Sequence, residues 1–413
     1  MSLLRPFRAI RPAPGHAADV IAPPYDVLNS SEARQRAANR PWSFLHISKP
    51  EIDLPEGTHP YADEVYAKGA ENYRHLLQQG VLRQDEQPSY YLYQLTMGEH
   101  TQIGLVAAAS VADYETNRIR KHEFTRPDKE DDRVRQIDAL DAQTGPVFLT
   151  YRHHPDIDAL VNAIVTAPAE VEVTADDGII HRLWPITDSS AIETITTTFN
   201  SMEAIYIADG HHRSAAASRV CAARKAANPN HTGDEPYNYF LSVLFPDNQM
   251  LILDYNRVVV DLNGLDSDTL LKRVSASFEI TPSRTAIKPQ QRGEFGMYLS
   301  GQWYALTIKA EKIPADNPVK ALDVSLLASE LIEPLLGISD PRRDKRIDFV
   351  GGIRGLGELE KRVNSGEMAV AFSLYPTSLA QLMDVADANE VMPPKSTWFE
   401  PKLADGLVSH SLR

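Results

Sequence analysis

Apolar and polar positions along this chain fall into short blocks rather than one sustained rhythm. Residues 90–96 and 103–111 are apolar runs parted by Met97-Gly-Glu-His100, which predicts an antiparallel hairpin. Strand-like stretches over 170–186 surround a turn at Asp176-Asp-Gly178. Helices are predicted over 61–80, over the charged stretch 128–141 and over 190–203. Residues 239–245 and 250–262 read as paired strands turned by Pro246-Asp-Asn248, and 295–299 with 303–308 as a hairpin about Ser300-Gly-Gln302. Residues 322–336 read as a helix with its apolar face inward. A strand at 346–350, a glycine-rich loop at 351–355, a helix at 356–363, a strand at 368–374 and a helix at 377–388 follow. Pro23 and Pro24 forbid a helix through the proline-rich start, and Ser30 or Ser31 is placed to cap a short helix beginning near Glu32. Helices and hairpins mix without steady strand–helix alternation. That predicts an α+β fold with mixed sheets and antiparallel hairpins, not a doubly wound parallel sheet.

The length, 413 residues, exceeds one typical core. Two domains are expected: 1–265, holding a strand–turn–helix at 204–227, and 266–413, an α+β domain whose C-terminal arm packs back on the first. The net charge of −14 argues against a nonspecific grip on nucleic acid. No apolar run is long enough to span a bilayer, and Met1-Ser-Leu-Leu-Arg-Pro-Phe7 lacks the features of a signal peptide. Cys221 is the single cysteine, which rules out an internal disulfide. Together these predict a cytoplasmic protein without nucleic-acid or membrane partners; the oligomeric state stays open.

The chemistry concentrates in Ala204-Ile-Tyr-Ile-Ala-Asp-Gly-His-His-Arg-Ser-Ala-Ala-Ala-Ser-Arg219. A β-branched and aromatic strand leads through Asp209, Gly210, His211, His212 and Arg213 into an alanine-rich helix. Free N–H groups and the helix dipole favour an anion at such a start, and an arginine fork matches two phosphate oxygens. Gly210 lets the backbone approach a ligand, and both imidazoles can donate hydrogen bonds and titrate near neutrality. The plainer alternative is a turn whose Asp209 caps the helix. Metal ligation by both histidines ranks lower, because adjacent side chains point apart.

Four other blocks carry candidates. In Arg120-Lys-His-Glu-Phe-Thr-Arg-Pro-Asp-Lys-Glu-Asp-Asp-Arg133, His122 and Glu123 are acid–base candidates, and Arg126, Lys129 and Arg133 could face an anion. For Asp128–Arg133 the reading as a solvated helix comes first, and for Lys121–Thr125 the functional one. Asp348-Phe-Val-Gly-Gly-Ile-Arg-Gly-Leu-Gly357 fits neither the dinucleotide fingerprint nor the Walker loop, but Arg354 within it could contact an anion. Lys395 and Ser396, beside Trp398 and Phe399, form either a phosphate-binding and stacking edge or an anchored arm. Asp26 and Glu32, near Ala22-Pro-Pro-Tyr-Asp-Val-Leu28, are candidate general bases or merely turn and first-turn residues.

Arg5-Pro-Phe-Arg-Ala-Ile-Arg-Pro12, Ala22–Leu28, Lys121-His-Glu-Phe-Thr125, Ala208–Arg213 and Met392-Pro-Pro-Lys-Ser-Thr-Trp-Phe-Glu-Pro-Lys402 resemble a bacterial and archaeal family of unknown function, the one numbered 1015. The strand–Asp-Gly-His-His-Arg–helix is also similar to the phosphate-binding motif shared by ParB, sulfiredoxin and the free-serine kinases. That resemblance implies a ParB/sulfiredoxin-like nucleotide-binding core within 1–265, with Gly210–Arg213 as the phosphate cradle. His211 stands where sulfiredoxins carry their cysteine, so sulfinic-acid repair is not implied. The free-serine kinases use a catalytic carboxylate from the N-terminal part of the domain, and Asp26 and Glu32 are its nearest candidates here.

The leading expectation is a nucleotide-dependent phosphotransferase using ATP or ADP with Mg2+ and acting on a small hydroxylated metabolite such as serine or phosphoserine. Asp26, Glu32 or Glu123 would accept the hydroxyl proton, and Arg354 or Lys395 would compensate charge. The alternatives are a non-catalytic nucleotide sensor and a metal-dependent hydrolase built on His122, Glu123, His211 and His212.

Overall fold

The computed structural model describes residues 2–413. The chain divides into two compact units: residues up to Met250 with Pro401–Arg413, and Leu251–Glu400. The division falls ahead of the expected 265/266 boundary. Tyr255–Val259 pairs on both edges with strands of the second unit, so hydrogen bonding fixes it there.

The first unit is organised on a nine-stranded mixed sheet. Its order is Ile119–Arg120, Ile205–Asp209, Val147–Tyr151, Tyr239–Pro246, His100–Ser110, Tyr90–Met97, Ile180–Ile186, Val171–Thr174, with Leu4–Arg5 also pairing with His100–Ser110. Two pairings are parallel, Ile205–Asp209 with Ile119–Arg120 and Tyr239–Pro246 with Val147–Tyr151; the others are antiparallel. The hairpins foreseen at 90–111 and 170–186 both form. Tyr239–Pro246 and the stretch after 250 do not pair as expected. Tyr239–Pro246 is buried at every position and takes partners on both edges, whereas Leu251–Leu253 pairs with Trp398–Glu400. A fully apolar strand reads the same whichever neighbour it takes.

Helix Pro127–Leu140 packs against helix His211–Ala227 and helix Asp63–Gln78. Arg219 and Arg224 tie the first two together through Asp131 and Asp141, at 2.7 and 2.5 Å. Ala216, Ala217, Val220 and Cys221 sit in the main core with Leu149, Ile205 and Ile207. The small alanines let the helix lie close to the strands that flank its start. A four-stranded sheet joins chain segments far apart in sequence: Leu82–Gln84, Ala9–Pro12, Ser409–Ser411 and Ala142–Gln143.

The second unit holds an antiparallel six-stranded sheet, ordered Phe278–Ser283, Gln302–Ile308, Glu294–Leu299, Val370–Leu374, Tyr255–Val259, Ile347–Gly351. The helix foreseen at 322–336 forms as Asp323–Leu327 and Glu333–Leu336 around a π-helical turn at Ala328–Ile332. The fold class is α+β, with parallel and antiparallel pairings mixed in the nine-stranded sheet and the six-stranded sheet wholly antiparallel.

Candidate functional site

Strand Ile205–Asp209 is buried through Ala208, and its register against Val147–Tyr151 shifts between Ile207 and Asp209. An irregularity of that kind re-aims the side chain that follows it. Asp209 Oδ1 accepts the Gly210 N–H at 2.8 Å, and Oδ2 accepts from Lys402 Nζ at 3.2 Å. Burial alone would raise the Asp209 carboxyl, but Lys402 and Arg213 outweigh it and hold the group far below the usual carboxylate range. Asp209 is therefore a fixed carboxylate and not the helix cap. The cap is Gly210, whose φ of 95° disfavours any residue with a Cβ.

Helix His211–Ala227 starts there. The Gly210 carbonyl accepts from Arg213 N at 2.9 Å and Ser214 N at 3.1 Å, which leaves the His211 and His212 N–H groups without an intrahelical acceptor. Their imidazoles do not behave as expected. His211 Nε2 accepts the His122 backbone N–H at 3.4 Å, and His212 Nε2 accepts that of Arg126 at 3.1 Å. The two side chains thus staple the segment 122–126 alongside the helix start. Burial, reinforced for His211 by His122, pushes both rings below their ordinary value. Burial lowers His122 to about 4. These rings are neutral at pH 7 rather than poised to titrate.

Arg213 is already engaged by protein groups. Its Nη1 donates to the Pro146 carbonyl at 2.6 Å and its Nη2 to Asp26 Oδ2 at 2.9 Å, so protein atoms occupy its fork. Burial opposes its charge, but Asp26, Tyr25, Asp209 and Asp405 outweigh it and raise the guanidinium. Arg133, bonded to Asp132 at 2.7 Å, lies 3.8 Å over the Tyr25 ring, with Arg213 5.6 Å from the same ring. Tyr25, Arg133, Gln136, Thr144, Arg213 and Asp405 line a cavity of about 30 Å3, room for a water molecule. Burial raises the Asp405 carboxyl to about 7 despite Arg213.

Asp26, His122, Glu123 and Asp209–Arg213 are thus gathered at one helix start. Glu123 Oε2 lies 3.8 Å from His211 Nδ1. Glu32 has a different occupation. It accepts the Asn29 N–H at 2.9 Å while Asn29 accepts the Glu32 N–H at 2.9 Å, a reciprocal cap on helix Ser30–Ala37. Asn29, not Ser30 or Ser31, caps that helix.

Arg354, Lys395 and Ser396 belong to the second unit. Arg354 is exposed in a short turn after Gly351. The Ser396 hydroxyl is buried and donates to the Pro393 carbonyl at 2.6 Å, which accounts for it structurally. Lys395 is exposed, its carbonyl accepting from Arg257 at 2.9 Å. Trp398 and Phe399 lie in a strand paired with Leu251–Leu253, the anchored-arm alternative.

Tyr25, Asp405 and the pairing of Lys402 with Asp209 escaped the sequence reading. Asp405 had one signal, the following Gly406: its φ is 87°, and a Cβ there would lie 2.7 Å from the Phe44 ring.

Three solved structures share coarse features with this chain. Free serine kinase in complex with AMP matches at 13% identity and TM-score 0.35, over 73% of this chain and 92% of its own. SbnI with a C-terminal truncation from Staphylococcus aureus matches at 12% and 0.38, over 73% and 85%. A conserved hypothetical protein from Pyrococcus furiosus matches at 15% and 0.34, over 73% and 95%. No curated protein matches the sequence. The family described as a protein of unknown function, DUF1015, matches residues 4–325, more than three quarters of the chain, and the chain belongs to that family.

Proposed function

We propose that this chain is a nucleotide-dependent phosphotransferase acting on a small hydroxylated metabolite, with serine and phosphoserine as the first substrates to test. The observation that carries the reading is the meeting of Asp26 with Arg213, 187 residues apart in sequence, beside the helix start at Gly210. In this reading the His211 and His212 N–H groups and the helix dipole receive the donor phosphates. Arg213 exchanges Asp26 for a phosphate oxygen and compensates its charge. The released Asp26 accepts the proton of the acceptor hydroxyl as its oxygen bonds to phosphorus and the bond to the departing nucleotide breaks. The exposed carboxylates of Asp26 and Glu123 are the oxygen donors Mg2+ prefers, so they fit that ion. When bound, Mg2+ would neutralise phosphate charge. First-unit residues suffice for every role.

The test offers ATP, ADP, CTP and pyrophosphate with hydroxy amino acids and their phosphates, and follows phosphorus in both directions. Asp26→Asn, at an exposed side chain, is expected to cut turnover by about 100-fold or more while nucleotide affinity persists. Wild-type turnover in Asp26→Asn would remove it as the base. Nucleotide affinity without transfer in any pairing would leave a sensor.

A further inference from the structure

We propose that His122, Glu123 and His211 form a binding site for one divalent transition-metal ion of the zinc type. One ligand atom from each lies within 4.8 Å of the others. His122 and His211 are buried, their rings perpendicular with centroids 4.5 Å apart, and Glu123 is exposed. His122 Nδ1 is buried and has no hydrogen-bond partner among the described residues. An unsatisfied buried ring nitrogen is unfavourable in a purely structural pair, and a metal ion would satisfy it.

The donor set decides the class of ion. Two imidazoles and one carboxylate suit zinc and its neighbours, whereas magnesium and calcium take oxygen ligands. Burial keeps both rings in the neutral form that ligates. Three protein ligands with a fourth position open is the arrangement of catalytic rather than structural zinc. The Glu123 side chain is half-exposed, so the cluster reaches solvent through it. Tetrahedral ligation puts donor atoms roughly 3.4 Å apart, so the cluster must close by up to about 1.4 Å. Glu123 can supply that by changing rotamer, and His211 by giving up its long 3.4 Å bond to the His122 N–H. His212 takes no part, because its ring faces Arg126 instead. The site shares Glu123 and His211 with the phosphotransferase reading but does not rest on it.

The experiment titrates Co2+ into the full-length, chelator-treated protein and follows its visible spectrum, then displaces it with Zn2+. One equivalent is expected, with the intense bands of four- or five-coordinate cobalt and no thiolate band. Glu123→Gln is expected to weaken Co2+ at least about tenfold, and His122→Gln and His211→Gln to abolish the bands. The exposed Glu123 variant keeps the test decisive if a buried histidine variant fails to fold. Two results would overturn the site: a spectrum that stays that of hydrated Co2+, or saturation unchanged in Glu123→Gln. Mg2+-dependent phosphate transfer, assayed separately, tells failure of this site from failure of the other reading.

Discussion

Gly210-His-His-Arg213 and Gly351-Gly-Ile-Arg354 share one local plan, in which a strand, glycine and arginine lead into a helix, yet they end in opposite surroundings. Around Arg213 lie Asp26, Asp209, Asp405 and the Pro146 carbonyl, and its side chain is 11% exposed. Arg354 stands in solvent. The glycines differ too. Gly210 is required by its own positive φ, at the mouth of a helix. Gly351 and Gly352 have no such need. They are small because a Cβ would meet the Trp398 ring at 2.9 Å in one case and the Asp254 carboxylate in the other. The same local motif is therefore a charge-enclosing site in one unit and a packing device in the other, and tertiary neighbours make the difference.

The largest contrast should be in arginine removal. Arg213→Ala is expected to cost about 3 kcal/mol, at the low end for a buried pair because Asp26 is half-exposed. Arg354→Ala should stay within about 0.5 kcal/mol. Chemical denaturation of both variants checks this, and equal losses would break the comparison.

Acid should separate the units next. Burial holds His122, His181 and His410 at about 4, and His211 below its ordinary value, all in the first unit. Groups lowered in this way stabilise above about pH 6.5, and that stability is lost as pH falls toward 4. Asp405, raised by burial to about 7, and His46, raised chiefly by its bond to Asp53, act the other way. With His212, also lowered by burial, five lowered imidazoles outweigh two raised groups. In the second unit burial raises Asp323 to about 6, and that contribution, full below about pH 4, fades as pH rises through 6. Between pH 6.5 and 4 the first unit is expected to lose stability while the second gains. Tryptophan fluorescence of Trp42→Phe/Trp184→Phe and Trp303→Phe/Trp398→Phe proteins reports each unit; a second unit melting first in acid would refute the ordering.

Two glycines of the second unit give smaller, opposite effects. Gly352→Ala should cost about 2 kcal/mol through overpacking against Asp254. Gly357→Ala, in helix Leu356–Asn364 with open space around it, should stabilise by about 0.5 kcal/mol. Thermal melts of the pair sharpen the distinction between a packing glycine and a dispensable one.

Local pattern by itself determined the helices foreseen at 61–80, 128–141, 190–203, 356–363 and 377–388, the hairpins at 90–111, 170–186 and 295–308, the α+β class and the strand–turn–helix at 204–227, because each depends on near neighbours whose periodicity is written in the sequence. Pairing of the apolar strand Tyr239–Pro246 was left to the tertiary structure, since a strand buried on both faces carries no mark of its partner. So was the fate of each charged group. Asp26 and Glu32 lie six positions apart and are equally plausible on paper; one meets Arg213 from across the fold and the other closes its own helix cap. Likewise His211 and His212 are adjacent in sequence, but the helix sends one ring to His122 and the other to Arg126. Burial and long-range partners set the charge and the role of a side chain, and both are properties of the folded chain.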